Sequence, residues 1–535
     1  MTTPTDGSRP NLVVVVLDCA RASSFPETGG RVGSFPSLES LKAESTVFTR
    51  ATTVAPWTLP SHASLFTGRY PWEHGVMGAG RLHLQASVPT VEGRLREAGY
   101  ATLALSANGL LGPLVGRPES FETHRCAEWW EKTVRWVPPE SLGMRASDRP
   151  LGTEGLLSVV RRGVPPRRPR SSPWDFLTSH KANLSLREAV KAADPRDVPT
   201  GPWGEVVSGG IIDLLNRIAR VLQRPADPHP LGISPWIEPT LAAWLDHQSP
   251  ERPVHCFVNF LDLHEKYLSD ADIVSGLRAW FRFVRIPQNT RLWLQGKWNP
   301  TEDELDLLRR IYEAILVGLD RRVSSLIQIL RRAGRWDNTL LVVTSDHGQG
   351  FGEHGQVFHE QSPFEPLLHV PFWVRWPHGE GGGRRSSEPT SLVDVAPTLL
   401  RAAGIPAPSD LPGIPLQGEP AGPRSGSVLA MADGYPSVEV YSEVLPAPVV
   451  DRIRRVHAIA YEGDFKAIVE IRSGSTTVFD LQHDPDEQSD LAETMGGPAS
   501  GAVRSARMVA EQIRRASDGI TDAALHDRLR SWGYL

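Results

Sequence analysis

NLVVVVLD (residues 11–18) is an unbroken run of valine and leucine that stops on an acid. A run with no polar alternation reads as a strand covered on both faces, the kind found inside a parallel sheet. NTLLVVTS (residues 338–345) has the same character and stops on Asp346 and His347. It follows a helical pattern over 302–334, and helix followed by buried strand is the α/β alternation. ATLALSA (101–107), preceded by VEGRLREAGY, and VHCFVNFLD (254–262), preceded by TLAAWLDHQ, supply two more strands. The expected fold is therefore a large, mostly parallel central sheet flanked by helices. Its acids and imidazoles collect at strand C-terminal ends, where open α/β sheets bind ligands.

Composition narrows the partners. The chain has 535 residues, 40% hydrophobic and 22% charged, with a formal net charge of -5, so it can bury a large interior and carries no global signal for nucleic acid. Cys19, Cys126 and Cys256 are odd in number and far apart, which argues against a disulfide framework or a cysteine metal cluster and fits a reducing cytoplasm. The opening MTTPTDGSRP lacks a basic n-region, and LVVVVL is far shorter than the ~20 apolar residues of a membrane span. Neither a signal peptide nor a membrane partner is expected.

Residues 1–424 are expected to form the main domain, interrupted over about 115–250 by a Trp, Pro and Arg-rich helical insertion that covers one end of the sheet. Residues 425–535, with VFDLQHDPDEQSDL and the helical ARMVAEQIRRA, read as a smaller α+β subdomain. RRGVPPRRPR (161–170) reads as a solvated loop rather than an anion site, and GEGGGRRSSEP (379–389) as an exposed connection.

APWTLPSHASLFTGRYP (55–71) poses the functional question. Thr58 followed by Pro60 suits a helix start, with Thr as N-cap and proline in the first turn. In the alternative, the positive end of that helix holds an anion beside Thr58 Oγ1. An alcohol is a poor nucleophile at its free pKa, and coordination to a divalent cation activates it. Asp18, Asp346 and His347 end strands on one edge of the sheet and offer two carboxylates and an imidazole to a single cation shared with Thr58. The imidazole favours Zn or Mn, with Ca possible.

In combination these segments resemble the sulfatase branch of the alkaline phosphatase superfamily. NLVVVVLDCARASS is similar to that family's first strand and metal aspartate, and PSLESLKAESTVFTRATTVAPWTLPSHASLFTGRYPWEHGV to its nucleophile segment. VPTVEGRLREAGYATLAL resembles its next helix and strand, LLVVTSDHGQGFGEHG its second metal-binding strand end, SLVDVAPTLLRAAGIP the helix after it, and VFDLQHDPDEQSDL its C-terminal subdomain. The resemblance implies an alkaline-phosphatase-like α/β fold, one divalent cation and a small-molecule anionic ester as substrate. It places Thr58 at the nucleophile, and it puts His264 and His359 where they assist the leaving group, with His62, Asn108 and Asp262 as substrate contacts.

The nucleophile segment also departs from the family. Sulfatases carry Cys or Ser followed by x-Pro-x-Arg and oxidise that first residue to formylglycine. Here the same positions read Thr58-Leu59-Pro60-Ser61-His62. Oxidising a secondary alcohol gives a ketone, and His62 stands where the supporting Arg is expected. Cys19 occupies a position where many relatives have another metal-binding carboxylate. Threonine is the nucleophile of superfamily members that cleave or transfer phosphodiesters, so the expected chemistry moves to phosphorus: hydrolysis of a phosphodiester or phosphonate monoester. An atypical sulfatase, a phosphotransferase to an acceptor alcohol and an inactive binding protein with the same fold are the alternatives. His74, His354 and His369 are expected to stabilise loops.

Overall fold

The computed structural model describes residues 9–25, 35–77, 83–117, 119–127, 236–265, 267, 286–288, 290–359, 362–416, 426–433, 445, 447–494 and 499–517. Most of the expected insertion, including the RRGVPPRRPR run, lies outside the described residues. The chain forms two compact units, one of residues 1–146, 233–264 and 315–535, the other of residues 147–232 and 265–314. In the second unit, the Tyr267 backbone N–H donates to Gln288 Oε1 at 2.7 Å and the Tyr267 ring meets Tyr312 with centroids 6.2 Å apart. No described helix is long and apolar enough to cross a membrane.

The first unit is built on an eight-stranded sheet. In chain order its strands are β1 (Asn11–Leu17), β2 (Thr46–Phe48), β3 (Ala101–Ser106), β4 (Thr123–Cys126), β5 (Val254–Phe260), β6 (Thr339–Thr344), β7 (Phe372–Arg375) and β8 (Arg384–Ser386). Their spatial order is β8-β2-β7-β6-β1-β5-β3-β4. Only β7 among them runs antiparallel to its neighbours. All seven residues of β1 are buried, as its unalternating sequence requires. The connection expected at 379–389 is partly an edge strand: β8 pairs in parallel with β2, its two arginines exposed, a charged composition suited to an unpaired edge.

Register fixes the site. Val16 of β1 lies beside Thr344, Leu17 beside Phe260, and Ser106 beside Asn259, so four neighbouring parallel strands end at one level. The residues that follow those ends are Asp18, Asn108, Asp262 and Asp346. Helix α1 (Thr58–Thr67) packs over this edge with every one of its residues buried. It closes on Gly68, whose φ of 69° is left-handed and whose missing Cβ would sit 2.8 Å from the Ala396 side chain. α2 (Val91–Glu97), α3 (Ile237–Asp246), α4 (Glu302–Arg332) and α5 (Val395–Ala402) follow in the chain.

Residues after 425 form an antiparallel sheet of β9 (Val428–Ala432), β10 (His457–Glu462), β11 (Phe465–Glu470) and β12 (Thr476–Asp480), with α6 (Ser500–Ser517) packed on β10 and β11. One hydrophobic cluster runs from Leu12 and Val14 through Phe66 of α1 to Ala460, Ala506 and Val509. The C-terminal sheet thus shares its core with the main sheet.

Candidate active site

Thr58 is the first residue of α1 and not its cap. The N-cap is Trp57, in extended conformation, and its indole nitrogen is held by Asp433 at 2.8 Å. Thr58 Oγ1 faces the strand ends, 3.4 Å from His347 Nε2 and 3.5 Å from Asn108 Nδ2. It is 2% exposed.

Asp18 Oδ2 accepts from Asn108 Nδ2 at 3.1 Å and from Asn259 Nδ2 at 3.2 Å. Asp346 Oδ1 accepts from the backbone of His347 at 2.9 Å and of Cys19 at 3.3 Å. Asp346 Oδ2, fully buried, has no hydrogen-bond partner among the described residues and lies 3.4 Å from His347 Nε2. His347 Nδ1 donates to the Gly348 carbonyl at 2.9 Å, which leaves the Nε2 lone pair aimed at Thr58 and Asp346. Gly348 is required there: a Cβ would lie 2.1 Å from the Pro366 carbonyl oxygen.

Charge in this cluster is unbalanced. Burial and the neighbouring Asp18 hold the Asp346 carboxyl well above the usual range. Burial also works against ionised Asp18, but the His264, His347 and His62 imidazoles and the Asn108 amide outweigh it and pull its pKa down. Burial, with His359 nearby, pushes His347 down to about 3, so it is a neutral donor. Two adjoining buried carboxylates, an orphaned carboxylate oxygen and a neutral imidazole with its lone pair turned inward fit a divalent cation. Ligand atoms of Asp18, Cys19 and His347 lie within 4.8 Å of one another, so the Cys19 thiol stands beside the donors expected from sequence.

His264 and His359 form the neighbouring wall. The His359 ring stacks on His347 with centroids 4.6 Å apart and meets His264 edge-on at 4.7 Å. Gln349 Oε1 holds His359 Nδ1 at 3.1 Å. Backbone strain flanks both sides of the cluster: Cys19 has φ 65° and Phe358 φ 67°, conformations that cost about 1–3 kcal/mol each for side chains of this kind.

Other expected contacts are placed differently. Asp262 is engaged by Arg322 of α4, whose NH1 lies 3.0 and 2.8 Å from its two oxygens. The same guanidinium holds Glu238 of α3 at 2.8 and 2.9 Å and lies over the Phe260 ring. That arrangement makes Asp262 an anchor for the loop that carries His264. His62 is fully buried between Phe66 and Phe257; its Nδ1 donates to the Thr58 carbonyl at 2.9 Å and lies 3.5 Å from Asp346 Oδ2. It supports the first turn of α1 from behind. Asn108, with its Oδ1 receiving Leu110 N, positions both Asp18 and Thr58. His74, His354 and His369 do brace loops, against Ser64, the Phe364 ring and the Thr49 carbonyl.

Sequence reasoning passed over Asn259 and Ser345. Asn259 is a polar residue in a strand whose residues are all buried, and that anomaly was its signal. Ser345 Oγ ties the Leu17 and His347 carbonyls together at 2.6 and 2.7 Å, joining the ends of β1 and β6.

This sheet-edge constellation of acids, imidazole and a helix-borne hydroxyl defines an ester hydrolase of the alkaline phosphatase superfamily. Three family models match the chain: Sulfatase over 244–405, Type I phosphodiesterase / nucleotide pyrophosphatase over 12–183, and N-sulphoglucosamine sulphohydrolase, C-terminal, over 352–498. The choline-sulfatase of Rhizobium meliloti (strain 1021) is 26% identical over 93% of this chain and 85% of its own length. The arylsulfatase K of Bos taurus is 30% identical, covering 90% of this chain and 78% of its own. The crystal structure of a phosphonate monoester hydrolase of Agrobacterium radiobacter superposes with a TM-score of 0.58 at 18% identity, covering 95% of this chain and 96% of that one. The chain belongs to the sulfatase family.

Proposed function

We propose that this protein is a metal-dependent hydrolase of a phosphoester, a phosphodiester or phosphonate monoester, with Thr58 as its nucleophile. The observation that carries the reading is the setting of Thr58 Oγ1, which is turned away from any capping role and toward His347 Nε2 and Asn108 Nδ2. A divalent cation held by Asp18, Asp346, His347 and Thr58 would lower the hydroxyl pKa and offset charge on the ester oxygens. The amino end of α1 adds its positive dipole to the anion's position.

Thr58 Oγ1 forms a bond to phosphorus as the ester's alcohol departs on the side walled by His264 and His359, one of which gives the outgoing oxygen its proton. Water then attacks the phosphothreonine and restores the hydroxyl. An acceptor alcohol in place of that water would make the same residues a phosphotransferase.

The choline-sulfatase and arylsulfatase K relatives favour a second reading, a sulfate ester. Threonine speaks against it. A formylglycine hydrate expels sulfate by collapsing to the aldehyde, whereas a sulfated Thr58 has to be hydrolysed at a hindered sulfur. Aryl phosphodiester or phosphonate monoester turnover should exceed aryl sulfate turnover at least about tenfold in kcat/KM, equivalent to ~1.4 kcal/mol. Thr58→Ala should lower kcat roughly a thousandfold. A preference for the aryl sulfate at matched metal loading would return the substrate to sulfate, and near-normal turnover in Thr58→Ala would remove the threonine from the chemistry.

A further inference from the structure

The wall beside the proposed cation contains a second set of ligands. Cys19 Sγ, His264 and His359 each offer an atom within 4.8 Å of the others. All three are buried, at 0%, 7% and 6% exposure. Cys19 Sγ is 4.0 Å from His359 Nδ1. In a tetrahedral zinc site with Zn–S of about 2.3 Å and Zn–N of about 2.0–2.1 Å, sulfur and nitrogen ligands stand about 3.5 Å apart, so a shift of roughly half an ångström brings the Cys19–His359 pair to ligand spacing.

The donors divide naturally between two ions. The first cation has four donors without the thiol: Asp18, Asp346, His347 and Thr58. The second set has two imidazoles and needs an anionic member. Asp262, two residues before His264, is engaged by Arg322. Cys19, fully buried and with left-handed backbone at φ 65°, offers that anionic donor.

We propose that Cys19, His264 and His359 form a second, thiolate-containing cation site, selective for a soft ion such as Zn(II) or Co(II) over Ca(II) or Mg(II). Its position on the leaving-group wall lets a bound ion take the place of a proton donor there. The site goes beyond the ester-cleavage reading and does not depend on which ester is cleaved.

The test uses metal alone, so its outcome is separable from that of any activity assay. Full-length protein is stripped with a chelator, titrated with Co(II), and followed by near-ultraviolet thiolate-to-cobalt absorption and by elemental analysis after desalting. Wild type should bind two equivalents, one of them with the thiolate band. Cys19→Ser and, independently, His264→Gln should each bind one equivalent without that band, whereas Asp346→Asn should lose the other equivalent and keep the band. His264→Gln keeps the test decisive if substitution at the strained Cys19 position impairs folding. One equivalent in wild type, with or without the band, or two equivalents retained in Cys19→Ser, would overturn the proposal.

Discussion

Among the described residues of the first unit, two of the buried charge clusters are completed in opposite ways. Around Lys466 of β11, fully buried, the ammonium lies 2.6 Å from Glu487 and 2.9 Å from Glu365, Tyr461 donates to Glu365 at 2.8 Å, and Glu487 accepts the Glu365 backbone N–H at 2.7 Å. The protein supplies its own cation there. At the sheet edge, Asp18 and Asp346 are equally buried, yet Asp346 Oδ2 finds no hydrogen-bond partner among the described residues. A buried carboxylate that its own fold leaves unpaired is costly, and the structure keeps that cost where an external cation can offset it. The closed cluster holds the C-terminal sheet to the segment beginning at Glu365; the open one is where the proposed chemistry lies.

Removing the internal cation is the sharpest way to break this contrast. Lys466→Met strands Glu365 and Glu487 in the interior and should destabilise the protein by about 3–5 kcal/mol, read as a large fall in Tm. An unchanged Tm would mean that the cluster is not structural.

Arg322 lies between the two cases, a closed pair serving the open site. Lysine cannot reproduce a fork that holds Asp262 and Glu238 together. Arg322→Lys should lower kcat/KM about tenfold, mostly through kcat, as the loop bearing His264 loosens, with metal content unchanged. Equal kinetics in the variant and wild type would detach Asp262 from the positioning of His264.

The smallest effect is a pH dependence. Burial pushes the Glu487 carboxyl up to about 7, above its ordinary value of 4.5. Its contribution to stability is therefore complete below the unfolded pKa and lost as pH rises through the folded one. Between about pH 5 and pH 7.5 the Tm of wild type should fall relative to that of Glu487→Gln. A constant difference across that range would contradict this protonation behaviour.

The open cluster was largely legible because its members end runs of distinctive composition: NLVVVVL before Asp18, TLLVVT before Ser345 and Asp346. Parallel strands of that kind must be buried and must end at one edge, so their terminal residues meet without any knowledge of side-chain geometry. What escaped were pairings set by three-dimensional packing alone. Arg322 is 60 residues from Asp262 on an amphipathic helix, where an arginine reads as solvated. His62 follows Thr58 by one helical turn, so the sequence places it near the nucleophile but does not say that Phe66 and Phe257 enclose it. Cys19 looked like a missing carboxylate, and its left-handed backbone shows only in the structure.

The most direct measurement is thermal melting of wild type and Asp346→Asn, first in chelator and then with Mn(II), an ion suited to the carboxylate set. A ligand present at 100 times its Kd adds about 2.7 kcal/mol to the folded state. In chelator, Asp346→Asn should melt above wild type, because the amide relieves the like-charge strain with Asp18. With Mn(II), wild type should gain several degrees and the variant should not respond. Equal gains in both proteins, or no gain in either, would contradict the claim that the sheet edge is a charge cluster built to be completed by a cation.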